Sequence, residues 1–350
     1  MILRLLSRLL WAHAVIGVAL LGADCAGVGG QLASAGEALA RGNLAGAESQ
    51  LSSLIASRCN EVVLLEARLR AAQGDSERAG RLFSQYTTAS PGDAKGFYHF
   101  ASFLLDGAQY PRADAASARA VSLDPELANA LVLRGRILAM KGQAGEAEAM
   151  LSKACRLEPR NAEAQFQLGV FHDARQQNGK AAEQFKKVVA LTPGDPRAHD
   201  YLGLNLEPVG EIEAAERAYK KGLRLNRPGP RFDAYINYNY GRFLIKRNRL
   251  EAAKQQLDQA LQLLPQFRGA FYERAKLNLK LRRPKQARAD AETALALKDP
   301  GGVILDLQVY YLLARIYGRT GEKELAQKYI NLSQSSSVPL KARRGASRGR

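Results

Sequence analysis

Alanine- and leucine-rich stretches run through most of the chain, and their small and apolar positions return every 34 residues. Gly135, Gly169 and Gly203 keep that spacing, and so do Pro125, Pro159 and Pro193. Around each glycine the register is constant. Leu168-Gly169 leads to Ala181, Phe185, Val188 and Pro193; Gly135 leads to Ala147, Leu151, Ala154 and Pro159; Gly203 leads to Ala215, Tyr219 and Gly222. Ala and Leu lose little side-chain entropy in a helix, so each period reads as helical. The spacing places a small residue on one helix opposite a small residue on the next. A Gly or Asn between them, such as Gly142 or Gly179, supports the turn by entering left-handed backbone. The closing proline starts the next pair, where its missing N–H costs little.

The frame extends in both directions. Upstream lie Ala101 with Ala113 and Pro125, Ala67 with Ala79, Phe83 and Pro91, and an irregular first unit at Ala35, Ala47 and Leu51. Downstream lie Gly241 with Ala253, Leu257, Ala260 and Pro265, then Ala275 with Ala287, Ala291 and Ala294, then Ala314 with Ala326 and Ile330. Two junctions, Arg227-Pro228-Gly229-Pro230 and Asp299-Pro300-Gly301-Gly302, are longer and predict extended loops. These offsets resemble the tetratricopeptide signature, in which a Leu-Gly pair, an Ala, an aromatic and a Pro recur. The resemblance covers nine repeats over about 35–333. It implies an all-α fold, a right-handed superhelix (α-solenoid) of helical hairpins with a concave inner face. Each repeat buries its apolar stripe only against its neighbours.

In that family the first helix of each hairpin lines the concave face. With the Leu-Gly glycine as position eight, positions two, five, nine, twelve and thirteen point inward. In the last three repeats position five is Tyr238, Tyr272 and Tyr311, position nine is Arg242, Lys276 and Arg315, and position thirteen is Lys246, Lys280 and Arg319. These positions share one helix face. A tyrosine ladder flanked by cations suits an extended or helical partner segment bearing acidic and apolar groups. The same positions earlier give Val132, Arg136, Met140, Phe166, Val170 and Asp173, a more apolar stretch suited to a hydrophobic segment. The pattern lacks the carboxylate clamp of chaperone-binding members, since Tyr238, Arg242 and Glu273 stand where Lys and Asn are needed.

Charge sharpens this picture. The chain carries +17, but residues 24–160 balance 15 basic against 15 acidic residues, whereas 161–340 hold 29 against 19. A basic second half suits an anionic partner. Five more cations fall in 341–350, so 334–350 reads as a disordered basic tail able to touch an anionic polymer or a membrane surface.

Residues 1–26 have the layout of a signal peptide or membrane anchor. Arg4 and Arg8 precede an apolar run from Leu9 to Gly22, and small residues follow. Cys25 raises lipidation, although Asp24 and Leu21 fit a lipobox poorly; a first helix of the array is the other reading. Cys25, Cys59 and Cys155 match no metal motif and no dense disulfide framework, and Cys155 reads as a packing residue. There is no phosphate-binding loop, Gly-x-Ser-x-Gly or His-Glu-x-x-His, and His172 and His199 fall on framework positions. No catalytic constellation and no cofactor are expected.

The expectation is a non-catalytic scaffold binding a partner protein, exported to the cell envelope, with the cytoplasm as the alternative. Tyr240-Gly241-Arg242-Phe243-Leu244, with Asn237 and Asn239 before it, is similar to a stretch of type IV pilus assembly repeat lipoproteins. The competing expectation is a binder of polysaccharide, lipid surface or nucleic acid through the basic half.

Overall fold

The computed structural model describes residues 25, 27–55, 57, 59–226, 233–297 and 304–346, with side chains to 336. The expected leader over 1–26, apart from Cys25, and the two long junctions at 227–230 and 299–302 lie outside the described residues. Every element among the described residues is a helix, and they fall into two units that meet between Arg175 and Gln176. The first unit holds α1 (Gly29–Ala40), α2 (Leu44–Ser52), α3 (Asn60–Gln73), α4 (Ser76–Ala89), α5 (Ala94–Asp106), α6 (Tyr110–Leu123), α7 (Ala128–Met140), α8 (Ala144–Leu157) and α9 (Ala162–Ala174). The second holds α10 (Asn178–Leu191), α11 (Pro196–Leu206), α12 (Ile212–Leu225), α13 (Asp233–Lys246), α14 (Leu250–Leu263), α15 (Arg268–Lys280), α16 (Pro284–Ala296), α17 (Asp306–Thr320) and α18 (Lys323–Ala346). Within each unit consecutive helices pack as hairpins, and each hairpin packs on the next.

Inside a hairpin the two helices meet at the small positions. A Cβ on Gly203 would lie 2.9 Å from three atoms of the Tyr219 ring, and one on Gly135 would lie 2.7 Å from Leu151 Cγ. Tyr219 and Leu151 are among the most deeply buried side chains, and Ala67, Ala79, Ala101 and Ala113 are wholly covered. A bulky residue on the second helix thus lies directly on the small residue of the first.

The turns between paired helices repeat a left-handed residue. Gly42, Gly74, Gly142, Gly210 and Gly321 supply it at five turns. Ala108, Gln176, Asn248 and Arg282 supply it at the rest, with φ of 55–58°. Gly142 performs the role expected from sequence. Gly179 does not: it lies inside α10, and Gln176 takes the left-handed conformation three residues earlier. A side chain in that conformation costs about 1–2 kcal/mol, a cost the packed hairpin sustains. Helix starts are capped by Asn43, Asp75, Asp93, Asn161 and Asp195, whose side chains accept from N–H groups of the first turn.

Polar clasps join neighbouring helices. Arg274 on α15 reaches Asp258 of α14 at 2.8 Å and Asp290 of α16 at 2.6 Å, and Asn278 also donates to Asp290. Arg268, only 7% exposed, donates to Leu297 O and pairs with Asp306, so it ties together the two ends of the longer junction before α17. Glu216 of α12 takes Lys220, Arg249 and the Tyr240 hydroxyl; those hydrogen bonds hold its carboxyl down at about 2, while burial and Glu216 push the Tyr240 phenol up to about 12.

Two features go beyond the sequence reading. The cysteines do pair: Cys25 and Cys59 form a disulfide with Cα atoms 5.1 Å apart. Their separation of 34 residues encloses the first hairpin, and stacking of successive hairpins brings such positions side by side. Cys59 is buried in the cluster of Ala35, Leu51, Leu54 and Leu65 that closes this end of the unit. Cys155 takes no part in the disulfide and is half-buried beside the α7–α9 core. At the other end α18 continues past 333 to Ala346, into the segment expected as a tail. Extending an existing helix needs only one hydrogen bond per added residue, which makes continuation easier than nucleation.

Gly203→Val is expected to cost about 1–3 kcal/mol by overpacking Tyr219. Amide hydrogen exchange checks it: α11 and α12 should lose protection while α3–α6 keep theirs. Reducing the Cys25–Cys59 bridge should cost about 3–4 kcal/mol by loop-closure entropy, confined to α1 and α2. The same exchange experiment with and without reductant reads that loss directly.

Candidate concave binding face

The predicted ladder lies on three parallel first helices, α13, α15 and α17, but its rungs are not equivalent. Tyr238 on α13 is 4% exposed. Its ring packs at 4.8 Å on Phe267, the residue just before α15, and the Arg242 guanidinium lies 5.4 Å above it. Gly269 leaves room for this ring, with the Tyr238 edge 3.3 Å from where its Cβ would stand. Tyr235, one turn earlier and 47% exposed, presents the accessible phenol on that helix. Tyr272 on α15 is half-buried, with Lys276 Nζ 5.1 Å from its ring; burial, then the nearby Glu273 charge, push its phenol upward. Tyr311 on α17 is 56% exposed.

The cations divide in the same way. Glu273, buried on α15, sits between Lys276 at 2.8 Å and Arg242 at 3.8 Å. Lys246 pairs with Glu207, the residue ending α11, at 3.0 Å. Arg242, Lys246 and Lys276 are thus neutralised by carboxylates of their own unit. Arg319 donates to Leu279 O at 3.4 Å, keeping its charge without a carboxylate. Lys280 and Arg315 are exposed and take part in no ion pair among the described residues. The structure therefore keeps all nine predicted residues on one set of helices, and leaves surplus positive charge around Tyr311, Arg315, Arg319 and Lys280. Glu207, Phe267 and Tyr235 were absent from the sequence reading. Phe267 lies just before a helix, where the repeat frame assigns no inward role, whereas Tyr235 and Glu207 occupy positions two and twelve, inward positions that the ladder did not use.

Of the earlier apolar stretch, Val132 and Phe166 are buried, Val170 and Asp173 are half-buried, and Arg136 and Met140 are exposed. The described histidines sit in packing roles: His199 Nε2 contacts Pro193 O at 3.1 Å, and His172 is buried against Phe171. Burial and the Arg68 guanidinium push His99 down to about 4, so it stays neutral near pH 7. One group has the makings of a metal site, Cys25, Cys59 and Glu61, but its sulfurs are joined to each other and offer no thiolate. Among the described residues no helix is long and apolar enough to cross a membrane.

Known proteins place these features. Tetratricopeptide repeat models match residues 32–94 and 202–267, 138–203, and 307–337. A model of the middle TPR-like domain of cilia and flagella-associated protein 70 matches 66–168. No curated protein matches the chain. Among solved structures, the APC/C hetero-tetramer Cut9–Hcn1 aligns at TM-score 0.64 with 18% identity, over 78% of this chain and 52% of that one, so the present chain spans about half its length. PilW, a type IV pilus biogenesis factor, aligns at 0.54 with 19% identity, over 60% of this chain and 93% of that one. PilF of Pseudomonas aeruginosa aligns at 0.54 with 18% identity, over 62% and 97%. At such identities the likeness is one of fold. With its helix pairs, small-residue contacts and left-handed turns, the chain belongs to the tetratricopeptide repeat proteins.

Proposed function

We propose that this chain is a non-catalytic scaffold that holds an acidic, partly apolar segment of another protein against the first-helix face of its second unit. The observation that carries this reading is the open face of α17. There Tyr311, Arg315 and Arg319 stand one turn apart, exposed, and no carboxylate among the described residues pairs with them. Tyrosine supplies contact area at low entropy cost, and each exposed ion pair adds about 0.2–1 kcal/mol, so several contacts together set the affinity. The neutralised cations on α13 and α15 order the wall of the groove rather than reach the partner. Arg242 does this by stacking on Tyr238 while bridging to Glu273.

The setting we infer is the cell envelope, in an assembly or secretion system. Three observations support it. The leading segment has a signal-like pattern. A disulfide persists in oxidising compartments and is rare in the cytosol. The fold is shared with PilW and PilF, of which PilW is a type IV pilus biogenesis factor.

Affinity capture from envelope extracts of the native host, with the full chain immobilised, tests the reading. A defined protein should bind wild type and fall about tenfold or more with Tyr311→Ala, Arg315→Glu and Arg319→Glu combined. Tyr238→Ala should behave differently, lowering stability by about 3 kcal/mol in thermal unfolding because it empties a packed site. Equal capture by wild type and the triple variant would move the contact off α17. Retention of acidic polymer alone, released by salt, would replace the protein partner with an anionic polymer.

A further inference from the structure

A second surface lies on the first unit, between α7, the start of α8 and α9. Here the protein forms a cleft of about 480 Å³. Its floor is Leu151, which rests on Gly135, and its walls include Val170, Phe171 and Ala174. At its lip stands Met140, 61% exposed and the most exposed large apolar side chain among the described residues. Water contact at a Met this open is unfavourable by the apolar area it leaves uncovered. An unbranched thioether also adapts to the shape of whatever covers it.

Two guanidiniums rim the cleft. Arg136 is exposed on α7, and Arg175 lies 5.7 Å over the Phe171 ring at the end of α9. Neither forms an ion pair among the described residues, whereas Arg70 and Arg134 of the same unit are paired with Glu48 and Asp114. General basicity does not account for them, because residues 24–175 hold 16 basic against 17 acidic residues. The one polar wall residue, Gln167, already donates to Glu163 at 2.8 Å, so the lining is apolar in effect. A surface that joins an uncovered apolar cleft to two unneutralised cations is complementary to an apolar side chain flanked by carboxylates.

We propose that this cleft is a second docking site, which takes a segment of a partner protein carrying a bulky aliphatic or aromatic side chain between acidic residues. The bulky side chain enters beside Met140 and Phe171, and the flanking carboxylates meet Arg136 and Arg175. The site shares no residue with the α13–α17 face, so either can fail alone.

The chain has three methionines, Met1, Met140 and Met150, and Met150 packs on the neighbouring core. Labelling the methionine methyls of the full chain with carbon-13 therefore gives a resolved reporter at the cleft and an internal control. The probe is the blocked hexapeptide EELFEE, with QQLFQQ and EESSEE as controls. EELFEE should shift the Met140 methyl saturably and leave Met150 in place, and both controls should bind about tenfold more weakly. Arg136→Glu with Arg175→Glu should weaken EELFEE about tenfold, with circular dichroism and the Met150 signal unchanged. The Tyr311→Ala, Arg315→Glu, Arg319→Glu variant should bind it as wild type does. An unmoved Met140 methyl at millimolar peptide overturns the proposal. So does equal binding of EESSEE, which would mark a simple anion patch, or equal binding by the charge-reversed variant. A Met140 shift that tracks protein concentration without peptide would make the occupant a second copy of the chain and equally overturn it.

Discussion

Two helices can lie side by side only as closely as their bulkiest facing atoms permit, and this chain sets that distance with its smallest residues, glycine or alanine. Where Gly203 faces Tyr219 and Gly135 faces Leu151, no carbon fits between backbone and ring or branch. The helix pair therefore closes onto the large residue, and the large residue is sealed from water by the backbone itself. That contact sets the tilt of the hairpin, and the tilt determines which side chains of the first helix look away from the second. The inward positions on α13, α15 and α17 are a consequence of a packing decision made on their opposite face.

Electrostatics then selects among those positions. A half-buried cation is tolerable when a carboxylate shares its burial, and Glu273 does this for Arg242 and Lys276, while Glu207 pairs with the more exposed Lys246. The result is a groove whose interior is internally compensated and whose last rung is not. The first unit reaches a similar division by a different route: Arg70, Arg78 and Arg134 are matched by carboxylates, whereas Arg136 and Arg175, which border the least covered methionine, take part in no ion pair among the described residues. In both units charge excess coincides with apolar exposure, and that combination distinguishes these surfaces from ordinary solvated helix faces.

Much of the architecture was legible because the contacts that make it are local and periodic. Ala67 and Ala79, or Gly203 and Ala215, sit twelve residues apart in one hairpin, so spacing alone reveals them. Turn geometry was less legible. Left-handed backbone at Gln176, Ala108 and Arg282 has no composition signal, which is why Gly179 looked the better candidate. The site was legible only as a set of positions. Whether Tyr238 is open depends on Phe267, which precedes the next helix and lies outside the frame that identifies inward residues. Cys25 and Cys59 were hidden for the opposite reason. Their pairing follows the repeat itself, but only once hairpins are stacked in space.

The bridge also gives the molecule a direction. Structures whose parts touch only neighbours come apart from their free ends, since a terminal element has fewest contacts to lose. Here one terminal hairpin is closed by a covalent bond, so its two helices cannot separate from the start of α3 without carrying the loop with them. Loss of order within the first unit is thereby steered away from α1 and α2, so hairpins that look alike in sequence do not come apart with equal ease.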